Sequence, residues 1–525
     1  MTGPAAVEET PRGRAVTVAL AYGMLNNIAL RFGNLLLGVL LARLLAPAEF
    51  GVYAVALTVQ AVLANLTDLG MAAFIVRTPD VERKAPTVLT AGCAVGVALA
   101  AAMWALAAPL ADQMGSPAAT PVIQALSLTL VLTGAGSVPA AFIQRRLQQN
   151  RQLVADGSSF VVGATVAVVL IMLGQGAMSL AWSRVAGQLV AVVLLFRLSH
   201  HRPVLGFDTQ VAREAVRFGL PLVGANVLSW LLLNMDYVIV GRLRGATVLG
   251  IYVLAFNISS WPTSAISQGL RAVALPVFAR EQSADASTRT RHVAAAVGLT
   301  LAGSALSGAL LLALASPVII AVYGERWAAS AAPLATLAAF GAVRPVFDLL
   351  ATYLTARGAT HAVFAVQVAW TVALLPALVV GISWNGPAGA GLAHLTVGLL
   401  VVLPAYLLVL RRQEIAPSTV LRAAIVPLTA AAAAGGAAFA TGRLLDNPWV
   451  AVLAGGSVAT LAYAGAMRGW VRRRVGHLRG PGGIGASEGA GAPGGPAPVE
   501  PALGPSAGNG PGVTLHPLPA VREES

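Results

Sequence analysis

The sequence predicts an all-α polytopic membrane protein with about fourteen transmembrane helices. Three observations carry that expectation. First, 57% of the 525 residues are hydrophobic and only 10% are charged, against about 25% charge in an average soluble domain. Mean hydropathy is +0.76. Second, apolar stretches of more than about 18 residues recur along most of the length, each long enough to cross about 30 Å of hydrocarbon. Third, the chain repeats itself. Residues 40–57, LLARLLAPAEFGVYAVAL, align without a gap on residues 239–256, IVGRLRGATVLGIYVLAF, at an offset of 199. A transmembrane barrel needs short segments of alternating polarity, and these are missing.

The elements follow in chain order. Residues 1–16 begin MTGPAAVEETPRGRA, polar and acidic, and read as a cytoplasmic N-terminal segment with no evident cleavable signal. Spans are expected near 17–42, 50–76, 87–109, 118–143, 153–174 and 177–198, an N-terminal six-helix bundle over residues 17–200. A second set near 215–240, 247–270, 293–321, 329–355, 361–383 and 388–410 makes a C-terminal bundle over residues 201–412. Spans near 421–441 and 447–467 form an additional helix pair, residues 413–470. Pro47, Pro117, Gly174, Gly176, Gly245, Pro317 and Gly358 punctuate the joins. Residues 471–525, rich in Gly, Pro and Ala, cannot bury a core and read as a disordered cytoplasmic tail.

The formal net charge is +13. A nucleic-acid partner is not expected, because the arginines sit in short clusters between apolar spans rather than on one continuous basic face. With the N-terminus cytoplasmic, the inner flanks hold Arg77, Arg83, Lys84 (the single lysine), Arg145, Arg146, Arg151, Arg213, Arg217, Arg411, Arg412 and others. The outer loops hold Arg43, Arg242, Arg244, Arg326 and Arg443. That asymmetry places both termini in the cytoplasm. Cys93 is the only cysteine, so no disulfide and no cysteine metal site is expected.

The repeat aligns Arg43 with Arg242, Gly51 with Gly250 and Tyr53 with Tyr252. Asn27 and Asn226 match at the same offset, as do Gly70 and Gly269. An even number of spans separates the copies, so both enter from the cytoplasm. Parallel repeats of this kind build transporters from two bundles, with the cargo held between them.

The motif residues Leu41, Ala42, Arg43, Leu45, Pro47, Glu49, Phe50, Gly51 and Tyr53, followed by Asp68 and Gly70, resemble the first two helices of the polysaccharide-biosynthesis flippases. These are the Wzx-like branch of the multidrug/oligosaccharidyl-lipid/polysaccharide exporter superfamily. The stretch NMDYVIVGRL at 234–243 strengthens the likeness. The resemblance implies two parallel-repeat six-helix bundles splayed as a V around a central cavity, plus two C-terminal helices. It implies translocation of an undecaprenyl-diphosphate-linked oligosaccharide from the inner to the outer leaflet of a bacterial plasma membrane. It also implies polysaccharide polymerases and glycosyltransferases as partners. Most of the motif reads as a folded corner. Pro47 ends the first span, Gly51 permits close approach, and Arg43 reaches the outer headgroups.

Charged residues inside the hydrocarbon cost about 2.5–3.5 kcal/mol each on insertion scales, so they mark function or pairing. Asn27, Arg31 and Asn34 share one face of the first span by their i, i+4, i+7 spacing, a polar stripe expected to line the cavity. Two readings of Arg31 stand. Its planar fork suits a diphosphate, or it forms an internal salt bridge to Asp68 or Asp236. Arg184, with no acid nearby in sequence, is a second substrate ligand. Arg344 is a third, although Asp348 stands one turn away and suits it as a partner. Asp68, Asp236 and Asp348 are candidates for ion coupling or gating, since a buried carboxylate takes up a proton or holds a cation. Asp156 reads as interfacial. Gln60, Asn257 and Gln268 read as helix bridges or sugar ligands. His394 is a weak proton-relay candidate, and the tryptophans are assigned to the interfacial belt.

No catalytic residue, cofactor or metal is expected. The sequence holds no Walker A motif and no nucleophile–base or metal-ligand pattern. A lipid II flippase and an ion-coupled multidrug exporter are the alternative functions. The second should favour carboxylates and aromatics over deep arginines.

Overall fold

Runs of Ala, Leu and Val fold here as helices, the one open element that satisfies its own backbone in hydrocarbon. The computed structural model describes residues 11–67, 70–78, 80–199, 204–280 and 285–479. In order these form α1 (Pro11–Leu44), α2 (Pro47–Thr67), α3 (Met71–Arg77), α4 (Val81–Ala105), α5 (Ala107–Gln113), α6 (Thr120–Arg145), α7 (Gln149–Met172) and α8 (Ala177–Ser199). Then come α9 (Thr209–Arg280), α10 (Ala286–Ala313), α11 (Ala315–Tyr323), α12 (Ala331–Ala356), α13 (Thr360–Val397), α14 (Leu403–Arg412), α15 (Pro417–Arg443) and α16 (Pro448–Arg479). No strand occurs among the described residues.

Eleven stretches of the described residues are long and apolar enough to cross a membrane, against the fourteen expected. Breaks inside helices explain part of the difference. The stretch Asn234–Ser267 contains Gly245 at φ 80°, and Thr360–Arg412 contains Gly386 at φ 56°. Each expected turn therefore falls inside one counted stretch. Half of the side chains of α1, which carries the expected span 17–42, lie outside the described residues.

Other boundaries move for local reasons. Within the expected span 50–76, α2 is described to Thr67, and Gly70, at a left-handed φ of 64°, starts α3. The expected span 293–321 divides at Leu314, and Pro317 sits in the first turn of α11, where its missing N–H costs nothing. α1 starts at Pro11, inside the expected N-terminal segment. α16 runs to Arg479, inside the expected tail; residues 480–525 lie outside the described residues.

One apolar core runs from Ala42 and Val55 through Leu126 and Tyr252 to Leu350 and Tyr406, so helices of both sequence halves share it. Glycines set the close approaches. On α4 and α6, Gly92 faces Gly134 backbone to backbone. A Cβ at Gly134 would lie 2.2 Å from the Gly92 carbonyl oxygen, and one at Gly96 would lie 2.7 Å from that of Leu130. Small residues let membrane helices gain contact without apolar driving force. Gly134→Ala forces α4 and α6 apart and should lower stability by about 1–3 kcal/mol. Thermal unfolding in detergent reads this as a lower Tm; an unchanged Tm would show that the pair has room.

The segment entering α9 is tied to α4. The Gly206 amide donates to Thr90 Oγ1 and the Asp208 amide to Thr87 Oγ1, each at 3.1 Å. Lys84 Nζ donates to both Glu214 oxygens at 2.7 and 2.9 Å. α9 thus starts against first-half helices and continues into the second half. The additional pair α15 and α16 docks on α10, where the Tyr463 hydroxyl donates to the Ala302 carbonyl at 2.9 Å. Asp285 caps α10, accepting the Ser287 and Thr288 amides at 3.1 and 3.2 Å. Hydrogen bonds from Ser287 and then Thr288 hold this exposed carboxyl well below the usual carboxylate range. Its depressed pKa means the cap is complete at neutral pH and is lost only as pH falls below that range, through the depressed pKa.

Candidate functional site

The two copies of the repeat meet each other. The α2 start and the part of α9 after Gly245 approach so closely that a Cβ on Gly51 would lie 1.9 Å from the Ala246 carbonyl oxygen. A Cβ on Gly250 would lie 2.5 Å from the Pro47 carbonyl oxygen. Gly51 is the repeat partner of Gly250, and Pro47 of Ala246. The contact is therefore reciprocal, the signature of a two-fold relation. Around it, Trp327 is fully buried, donates Nε1–H to the Ala42 carbonyl at 2.7 Å, and meets Phe50 edge-on at 5.5 Å.

Arg43 is exposed and also turns to backbone. Its Nε donates to the Val322 carbonyl at 2.7 Å and its Nη2 to the Ala321 carbonyl. These are among the last carbonyls of α11, which have no helical donor of their own. Arg244 does the same within the second half, donating to the Ile382 and Ser383 carbonyls at 2.8 and 2.6 Å beside the break in α13.

In the first half, α1 lies against α7. Asn26 Nδ2 donates to Asp156 Oδ2 at 2.8 Å, and Gly33 faces the Phe160 ring. Asp156, expected to be interfacial, is thus a helix-to-helix acceptor. At 3.6 residues per turn, the Asn27–Arg31–Asn34 stripe lies about 80–140° around the helix from that α7-facing line. Arg31 is half-buried and Asn34 exposed; the Asn27 side chain lies outside the described residues. Among the described residues Arg31 has no ion pair, so the expected bridge to Asp236 does not form. Arg184 of α8 meets the Tyr53 hydroxyl. Asp68, the other partner expected for Arg31, lies outside the described residues.

The second half gathers the opposite charge. Asp236 is 2% exposed, accepts the Tyr252 hydroxyl on Oδ2 at 2.6 Å, and has His394 Nε2 3.7 Å away. Neither ring nitrogen of His394 has a hydrogen-bond partner. His394 also lines a cavity of about 60 Å3 with Phe256, Phe340, Arg344, Gln367, Trp370, Thr371 and Leu374. Arg344 therefore sits beside this cluster, apart from Arg31 and Arg184, which do not line it. It makes no ion pair with Asp348, whose Oδ2 accepts the Ser267 hydroxyl at 2.8 Å. The expected one-turn pairing of Arg344 and Asp348 is not formed. Gln60 Nε2 donates to Thr129 Oγ1 at 3.1 Å, a helix bridge; Asn257 is exposed, and the Gln268 side chain lies outside the described residues.

Sequence reasoning undervalued His394 and left Trp370 and Trp327 to the interfacial belt. One signal was available. Tyr53 and Tyr252 are repeat partners, yet one meets an arginine and the other a carboxylate. Equivalent hydroxyls thus serve opposite charges in the two halves.

Residues 40–332, more than half of the chain, match the family described as "Polysaccharide biosynthesis protein". The succinoglycan biosynthesis transport protein ExoT of Rhizobium meliloti (strain 1021) is 28% identical over 55% of this chain. That match spans 58% of its length, less than two thirds. The lipopolysaccharide biosynthesis protein WzxC of Escherichia coli (strain K12) is 26% identical over 71% of this chain and 76% of its own. The fold is that of the lipid II flippase MurJ in its inward closed conformation, with a TM-score of 0.69 and 13% identity over 86% of this chain and 100% of that one. The sequence match covers more than half of the chain, and the fold is helical throughout the described residues: this chain belongs to the polysaccharide biosynthesis protein family.

Proposed function

We propose that this protein moves a polyprenyl-diphosphate-linked oligosaccharide from the inner to the outer leaflet of the bacterial plasma membrane by alternating access between residues 17–200 and 201–412. The observation that carries the reading is Arg31, a half-buried guanidinium in an apolar helix with no ion-pair partner among the described residues. A charge kept in hydrocarbon without a counter-ion is paid for by a cargo that supplies one. Arg31 and Arg184 take the diphosphate, Asn27 and Asn34 bond the first sugar, and the polyprenyl tail stays in the bilayer. Arg344 meets the glycan from the second half.

Asp236 and His394 supply the coupling. The carboxylate, the imidazole and the Tyr252 hydroxyl sit where one proton changes the net charge of a buried cluster. Asp348 and Asp68 are further coupling or gating groups. The names of ExoT and WzxC point to envelope polysaccharide as the end product, which makes polymerases and glycosyltransferases partners. The arginine bias supports cytoplasmic termini.

The test is leaflet translocation in proteoliposomes with three cargoes: a polyprenyl-diphosphate oligosaccharide, lipid II and an organic cation. Movement of the first above both others is expected. Preference for lipid II moves the assignment to cell-wall assembly, and preference for the cation makes the chain a multidrug exporter.

A further inference from the structure

The reciprocal junction is among the tightest contacts between the two halves. Three features converge there. The Gly51–Ala246 and Gly250–Pro47 approaches are backbone to backbone, so no rotamer change relieves an added atom. Arg43 of the first half caps α11 of the second, and Trp327 of the second caps the end of α1. Arg326 of the second half adds a long donor contact to the Leu45 carbonyl at 3.5 Å. Each bond ends on a backbone carbonyl at a helix terminus, so each breaks without leaving a buried charge unpaired. Water or headgroups replace it when the helices part.

The opposite end is built differently. There the segment entering α9 is bound to α4 by Lys84–Glu214 and by the amides of Gly206 and Asp208. That tie also joins the two halves, but through an ion pair and amide–hydroxyl bonds at the segment where the second half begins.

We infer that Gly51, Gly250, Arg43 and Trp327 form a releasable gate that closes the transport pathway at the outer face. The glycines set how near the halves come, and the two cross-half caps set how firmly they stay. Gly51→Ala puts a methyl where a carbonyl oxygen stands, so the closed state is penalised and the open state is not. Trp327→Phe keeps a buried ring and removes only the N–H that reaches Ala42. The inference rests on the translocation reading for what passes the gate, but its geometry is testable without cargo.

The experiment uses the full chain in a Cys93→Ser background, reconstituted in lipid, with spin labels on pairs of introduced cysteines. Ala48→Cys with Ala329→Cys reports the junction end; Asn150→Cys with Ser287→Cys reports the other end. Ala48, Ala329, Asn150 and Ser287 are all exposed, so each accepts a label. In the parent the junction pair should give one short distance population. Gly51→Ala should shift most of it by about 5 Å or more, with the other pair shortening, as rigid-body rocking requires. Trp327→Phe should move a smaller fraction the same way. If Gly51→Ala does not accumulate in membranes, Trp327→Phe decides alone. Unchanged distances overturn the gate. Junction lengthening with no change at the other end overturns it too, since that is local loosening. Ala48→Cys should react with a membrane-impermeant maleimide on intact cells; reaction only after permeabilisation overturns the outer assignment. A failed cargo assay with the expected distances removes the flippase reading and leaves the gate.

Discussion

Arg31→Ala combined with Arg184→Ala should abolish translocation of a polyprenyl-diphosphate oligosaccharide, and Arg31→Ala by itself should leave the fold at least as stable as before. Hydrogen bonds to a charged group contribute about 1.5–3 kcal/mol each. One lost arginine therefore slows transport about 10- to 150-fold, and the pair brings it to background. The stability half of the result separates two accounts of the same residue. Breaking a buried salt bridge by removing one partner costs about 3–5 kcal/mol, because the other charge is stranded. Arg31 has no such partner among the described residues. Its removal takes a charge out of hydrocarbon and strands nothing. Arg31→Lys keeps the charge but not the fork, so it should fall between wild type and alanine. The measurements are the translocation rate and the thermal midpoint in one detergent. A large Tm loss with transport intact would return Arg31 to a structural role.

Asp236→Asn should uncouple the protein rather than unfold it. The amide keeps an acceptor for the Tyr252 hydroxyl, now 2.6 Å from Oδ2, and keeps the volume of the site. What it loses is the ability to hold a proton or a cation. Gradient-driven accumulation of cargo should fall by about tenfold or more, with downhill exchange retained. Asp236→Ala does something else. It leaves the Tyr252 hydroxyl buried and unpaired, which costs about 1–3 kcal/mol of stability. His394→Asn should shift the pH profile of accumulation without removing exchange. The decisive comparison is accumulation against exchange for Asp236→Asn. Equal loss of both would make the residue a structural one, and loss of neither would place coupling elsewhere.

The helical membrane fold was legible because hydropathy is written into every span. The breaks were less so. Gly245 reads as a join and residues 384–387 as the gap between two spans, yet the chain resumes its helix at once at Gly245 and Gly386, since glycine at positive φ bends a helix axis without needing a loop. Leu314 gave no warning of the α10–α11 junction beyond the nearby Pro317. For the site, charge in an apolar helix marks Arg31, Arg184, Arg344 and Asp236 as candidates. It was not enough to pair them. Arg344 and Asp348 share a helix face but turn to different neighbours, because Ser267 of α9 offers Asp348 a donor from outside the helix. His394 meets Asp236 only through the packing of α13 on α9, a proximity that no local pattern encodes. Arg43 looked like a headgroup anchor because its own helix ends there; the carbonyls it satisfies belong to a helix far along the chain.

The reciprocity at Gly51 and Gly250 has a consequence for how opposite charges came to be placed. Two separate half-length chains joined through that surface would be bookends related by a two-fold rotation: any residue gained on one side appears on the other. Neither an arginine beside Tyr53 nor a carboxylate beside Tyr252 could be chosen alone. Fusing the bookends into one polypeptide lifts that constraint, and a single molecule is then free to keep a basic shelf on one side and an acidic one on the other.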